Sequence, residues 1–142
     1  MIRALLKTSA DIATEQGVEV VSRQSISEKR MAEVEYLISL NLSNPDFSLT
    51  AAALACKISP RYLCHVLREN GTTFSELLWS KRLEKSREWL LILDKRHYSI
   101  SEIALSTGFK SAAHFSRMFR EHYGGAPSEF RRQAGTQGTE KY

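Results

Sequence analysis

Apolar residues recur along most of the chain at steps of three and four, and strict two-residue alternation is nearly absent. Val18 to Val21, after Gly17, is the best strand candidate, and it is short. The pattern predicts an all-helical protein. Ile2, Leu5, Leu6, Ile12 and Ala13 can line one face of a short helix, and Ser22 to Ser27 reads as a linker. A helix then starts near Ser25 or Ser27, where Ser25 and Glu28 have capping-box spacing. Met31, Val34, Leu37 and Ile38 follow in register, and Asn44-Pro45 closes that helix. Ser48 can cap a second helix, Leu49 to Cys56. Ser59-Pro60 opens a third, with serine at the cap and proline at the first helical position, running to about Asn70 before Gly71.

Phe74 to Leu93 reads as one long helix, with Leu83, Ser86, Leu90 and Leu93 in a stripe. Its twenty residues span about 30 Å. Ser99 caps the next helix, Ile100 to Thr107, and Gly108 turns the chain. Ser111 caps another to about Tyr123, and Gly124-Gly125 ends it. Pro127 opens the last helix, to about Gln133, and 134–142 is expected to fray.

A repeat underlies this order. Ser59, Leu63, Leu67 and Arg68 return as Ser111, Phe115, Phe119 and Arg120 at an offset of 52. Phe74-Ser75-Glu76-Leu77 returns as Pro127-Ser128-Glu129-Phe130 at an offset of 53. Each copy is a short helix, a tight turn, a capped helix and a glycine break, which is the helix-turn-helix unit. Ala53 and Ala104 are small enough for the two helices of each copy to cross closely. Gly108 suits a turn with positive φ, whereas the first copy has Lys57 there, at a cost of about 1 kcal/mol if it takes that conformation.

Charge sharpens the picture. Residues 1–46 carry a net charge of −2 and residues 47–132 a net of +6. A positive block that coincides with the repeat points to a polyanionic partner. Two cysteines, Cys56 and Cys64, make no disulfide framework, and no apolar run is long enough to span a bilayer or form a secretory leader. A cytoplasmic protein is expected. The spacing of Cys56, Cys64 and His65 matches no zinc pattern. There is no phosphate-binding glycine loop, nucleophile elbow or acid pair. Neither a metal, a cofactor nor catalysis is assigned.

The residues themselves carry a resemblance. Ile103-Ala104, Gly108-Phe109, Phe115-Ser116-Arg117, Phe119-Arg120, Gly124 and Pro127-Ser128-Glu129-Phe130-Arg131 resemble the signature of AraC/XylS-type transcription regulators. Ser59-Pro60-Arg61-Tyr62-Leu63 and Arg82-Leu83-Glu84 agree with it. The resemblance covers roughly residues 30–132. The chain departs from the pattern at Lys57, at Ala113 where serine is common, and in a short Gly71 loop. The resemblance implies a seven-helix domain of two helix-turn-helix subdomains joined by a long linker helix, and a bacterial activator or repressor. The subdomains are expected at about 28–73 and 99–133, the linker helix at 74–93, and at 1–27 an arm or linker that is either a packing arm of a small complete regulator or the tail of an upstream sensing domain.

It also implies reading helices at 60–69 and 112–122. The positions that face bases in such proteins fall on Arg61, Cys64 and His65, and on Ala112, Ala113, His114 and Arg117. Arginine can bond guanine O6 and N7 in a bidentate fashion, histidine can donate or accept, and alanine can only touch a thymine methyl. Ser59 and Ser111 at helix starts suit phosphate. Lys110, Arg68 and Arg120 can add charge, Arg68 and Arg120 alternatively pairing with carboxylates, and Lys81 and Arg82 on the linker helix serve either as packing salt bridges or as DNA-backbone contacts. Double-stranded DNA is the expected partner, with RNA polymerase a second and a small-molecule effector acting only through an upstream domain. The two readers would enter major-groove segments about 34 Å apart, and a shorter separation requires bent DNA. A helical protein-interaction module that contacts RNA polymerase without reading DNA is the rival expectation.

Overall fold

The computed structural model describes residues 9–92 and 97–140, with side chains at 25–92 and 97–135. Among the described residues there are seven helices and no strand: α1 Ser9–Leu40, α2 Leu49–Ala55, α3 Pro60–Glu69, α4 Phe74–Leu91, α5 Ile100–Ser106, α6 Ala112–Tyr123 and α7 Pro127–Glu140. None of them is long and apolar enough to cross a membrane.

The expected serine caps are present. The side chains of Ser48, Ser59, Ser99 and Ser111 each accept the backbone N–H three residues on. Ser99 with Glu102 forms a full capping box, and so does Thr73 with Glu76 at the head of α4, which the sequence pattern had not singled out.

Two expectations are corrected. Ser22 to Ser27 is not a linker, and Ser25 caps nothing: both lie inside α1, which is already helical at Ser9. Serine costs only about half a kcal/mol in a helix interior, and no proline interrupts the run, so the helix continues through it. The stretch 134–140, expected to fray, continues α7. Ile2, Leu5, Leu6 and Leu93 lie outside the described residues, as do the side chains of Ile12 and Ala13.

Two cores follow from the repeat. The first gathers Val34, Ile38, Phe47, Ala52, Ala53, Leu63, Leu67, Leu77 and Leu78 from α1 to α4. The second gathers Leu83, Leu90, Ile103, Ala104, Phe109, Phe115 and Phe119, with Trp79, Trp89, Tyr123 and Phe130 against them. The first is mostly aliphatic. The second is a chain of rings, with Phe109 to Phe115 at 4.9 Å, Phe115 to Phe119 at 5.6 Å and Phe119 to Phe130 at 5.1 Å, all edge-on. The α4 helix belongs to both: Leu77 and Leu78 close one core, Leu83 and Leu90 the other.

Candidate nucleic-acid interface

The two units are built by the same local hydrogen bonds. In the first, Ile58 N–H donates to the Ala53 carbonyl at 3.0 Å; in the second, Phe109 N–H donates to the Ala104 carbonyl at 3.0 Å. Ala53 and Ala104 are buried where the helices cross. The turn residues are Lys57 at φ 58° and Gly108 at φ 92°. The lysine does adopt the positive φ that its place in the repeat requires.

The third helix buries Leu63 and Leu67 in the first core, and Val66 is buried as well. Its other face exposes Arg61, Tyr62, His65 and Arg68, with Cys64 half-buried between them. Ser59, Arg61, Tyr62, Cys64, His65 and Arg68 line one shallow concavity, so the expected residues of the first reader share a surface. Tyr62 was missed in the sequence, although its place beside Arg61 on a helix start makes it an outward neighbour. The exposed His65 imidazole lies 3.0 Å from the Glu69 carboxylate. Glu69 also accepts from the Ser27 hydroxyl at 3.2 Å, and Asn70 donates to that hydroxyl at 3.1 Å, which ties α3 to α1.

The sixth helix buries Phe115 and Phe119 and exposes Ala113, Arg117 and Arg120. Ala113, Ser116, Arg117, Arg120 and Glu121 line a second concavity. Ala112 and His114 are half-buried. The His114 ring packs edge-on to Trp79 at 5.2 Å and to Phe109 at 5.9 Å, and is not part of the concavity that holds Arg117. Flat imidazole edges fit an aromatic corner, so this histidine is held from the linker-helix side.

Among the expected phosphate contacts, Ser59 and Ser111 spend a lone pair on their caps but keep a hydroxyl proton to donate. Arg68 and Arg120 are exposed. Lys81 stands 3.8 Å from Glu84, and the well-exposed Lys110 stands 3.5 Å from Asp46; such surface pairs are worth little and leave the cations available.

Arg82 is corrected. Only 1% of it is exposed, so it cannot reach a phosphate. Its Nε donates to the Leu42 carbonyl at 3.2 Å, one Nη donates to the Asn44 carbonyl at 2.7 Å, and the guanidinium lies over the Trp79 ring at 4.7 Å. Burial pushes its pKa down from the usual arginine value. The sequence held a sign of this: Arg82 sits three residues after Trp79 and four before the buried Ser86, in register with the apolar stripe. Burial, with help from Glu33, pushes the Cys56 thiol up, and among the described residues no group of three or more His, Cys, Asp or Glu could hold a metal ion.

Residues 52–133 match a family model described as a helix-turn-helix domain. The transcriptional activator RhrA of Rhizobium meliloti is 36% identical over 119 residues, which is 84% of this chain and 38% of that protein. The chain thus spans well under half the length of this and other curated relatives. A crystal structure from Chromobacterium violaceum, titled a transcriptional regulator of AraC-type DNA-binding domain-containing proteins, superposes with a TM-score of 0.70. It is 29% identical and covers 78% of this chain and 96% of that one. The DNA-binding domain of AdpA, crystallised with a target DNA, shares the fold at a TM-score of 0.66 and 24% identity, over 75% of this chain and 93% of that one. With both turns, both caps and both cores in place, the chain belongs to the AraC-type family of helix-turn-helix domains.

Proposed function

We propose that the chain binds double-stranded DNA sequence-specifically and regulates transcription, with α3 and α6 entering successive major-groove segments. The observation that carries this reading is the tandem of two serine-capped helices that each turn arginines outward, Arg61 with Arg68 and Arg117 with Arg120. Arg61, Cys64 and His65 read one element. Arg117, with Ala112, Ala113 and His114, reads the other. Ser59, Ser111, Arg68, Arg120, Lys81 and Lys110 hold the backbone through phosphate contacts. The fold of the AdpA domain, solved with DNA, supports the same use of this one.

The named relative is an activator, and its greater length supports a fuller regulator in which an upstream domain senses an effector. In that reading the protein works in the cytoplasm, contacts RNA polymerase and performs no catalysis.

Selection of sites from a random duplex pool, followed by affinity of the winners across a salt series, tests the reading. A site of two unlike elements is expected, with Arg117→Ala relaxing preference in one of them at a cost of about 2 kcal/mol. Weak binding that ignores sequence and vanishes in modest salt would leave only generic phosphate affinity and favour a protein-interaction module.

A further inference from the structure

Groups from separate parts of the chain meet on one side of α4. The loop between α1 and α2 belongs to the first unit, since Phe47 within it is part of the first core. From this loop the Leu42 and Asn44 carbonyls accept the two hydrogen bonds of Arg82. From the second unit comes Gly108, at the turn before the reading helix. A Cβ at position 108 would collide with the Leu42 carbonyl oxygen and lie 2.5 Å from Arg82 Nε. Trp79 stacks under Arg82 at 4.7 Å and stands against Phe109 at 5.3 Å and His114 at 5.2 Å. Outside, Asp46 of the same loop faces Lys110 of the same turn at 3.5 Å.

This junction sits where α4 changes allegiance. Leu78 belongs to the first core and Leu83 to the second, and Trp79 and Arg82 lie between them. The Arg82 guanidinium is buried against carbonyls and a ring, and among the described residues no carboxylate pairs with it. Burying a cation in this way is a poor route to stability, since a hydrocarbon of similar volume commonly serves as well or better. What the guanidinium supplies is direction: a planar fork that fixes two carbonyls at once.

We propose that Arg82 and Gly108 form a clasp that sets the separation and angle of α3 and α6, and thereby the spacing of the two DNA elements the chain accepts. The proposal rests on the two-reader function above. Arg82 acts as a positioning residue; it touches no DNA.

The test uses the duplex that the full chain selects from the random pool, and versions with one to three base pairs inserted between its two elements. One inserted base pair turns one element by about 34° relative to the other. For the native chain a single insertion is expected to lower affinity at least about tenfold. For Arg82→Met the loss should shrink to less than about threefold, while base preference within each element is kept. Arg82→Lys, which keeps the charge but not the fork, should fall between, and Asp46→Asn should stay near the native profile. Circular dichroism establishes that each variant is folded; if Arg82→Met does not fold, Arg82→Lys decides. A folded Arg82 variant that keeps the full spacing penalty overturns the clasp, and so does failure of both variants to fold, which makes Arg82 structural only. A native chain that selects no two-element site removes the two-reader function itself, a result visible before any variant is made.

Discussion

The first helix-turn-helix unit makes its turn on Lys57, and the second makes the same turn on Gly108. The hydrogen bond that follows is the same in each, yet the two positions have opposite tolerance. Lys57 at φ 58° lies in the ordinary left-handed region, which a side chain can enter at about 1 kcal/mol, and it points into solvent. Gly108 at φ 92° lies beyond that region, and the space of its absent side chain is filled by the Leu42 carbonyl and Arg82. One turn faces water and the other faces the rest of the molecule. Identity at a turn is therefore set by what lies against it as much as by its backbone angle.

The largest expected effect breaks that comparison. Gly108→Ala should destabilise the fold by on the order of 4 kcal/mol in urea unfolding, from positive φ and collision together, whereas Lys57→Ala should change stability by less than about 0.5 kcal/mol. Near-equal losses would show that the junction is not packed as described. Next in size is affinity. Arg61→Ala and Arg117→Ala should each weaken binding to the selected duplex by about 2 kcal/mol, each relaxing a different element, and the double variant should be close to additive. A variant that leaves affinity and preference unchanged would mean that the other helix alone does the reading.

Smaller again are the caps. Ser59→Ala and Ser111→Ala should each cost about 1 kcal/mol of stability, because both hydroxyls make the same bond at 3.1 Å. A large difference between them in thermal denaturation would show that the units are less alike than their geometry. Least of all is Lys57→Gly, where relief of positive φ is offset by the added freedom of the unfolded chain; a change within about 0.5 kcal/mol is expected. A gain well above that would reveal strain at Lys57 that its angle does not.

Much of this was legible in the residues. The caps Ser48, Ser59, Ser99 and Ser111, the apolar pattern from Phe74 to Leu93 and the helix-opening Pro127 placed six helices, because each signal is local. The start of α1 was not legible: serines between 22 and 27 look like a linker when read by composition, yet nothing there forbids a helix. Arg82 was read by its charge and belonged with its neighbours in the stripe. The packing of His114 against Trp79 was out of reach, because Trp79 comes from a helix that sequence spacing does not bring near. Contacts between the two units were out of reach in general, since they join residues such as Asp46 and Lys110 whose identities are unremarkable alone.

The contacts that Arg82 and Gly108 make with the α1–α2 loop go to main-chain oxygens, those of Leu42 and Asn44. A carbonyl is the same on every residue. The junction itself therefore asks nothing of the side chains at these two positions, although Leu42 also packs against the first core, while adding or deleting a single residue there would shift both oxygens at once. Over time such a loop should hold its length more strictly than its letters at the junction, whereas Arg82 on α4 and Gly108 in the second turn should be held as letters.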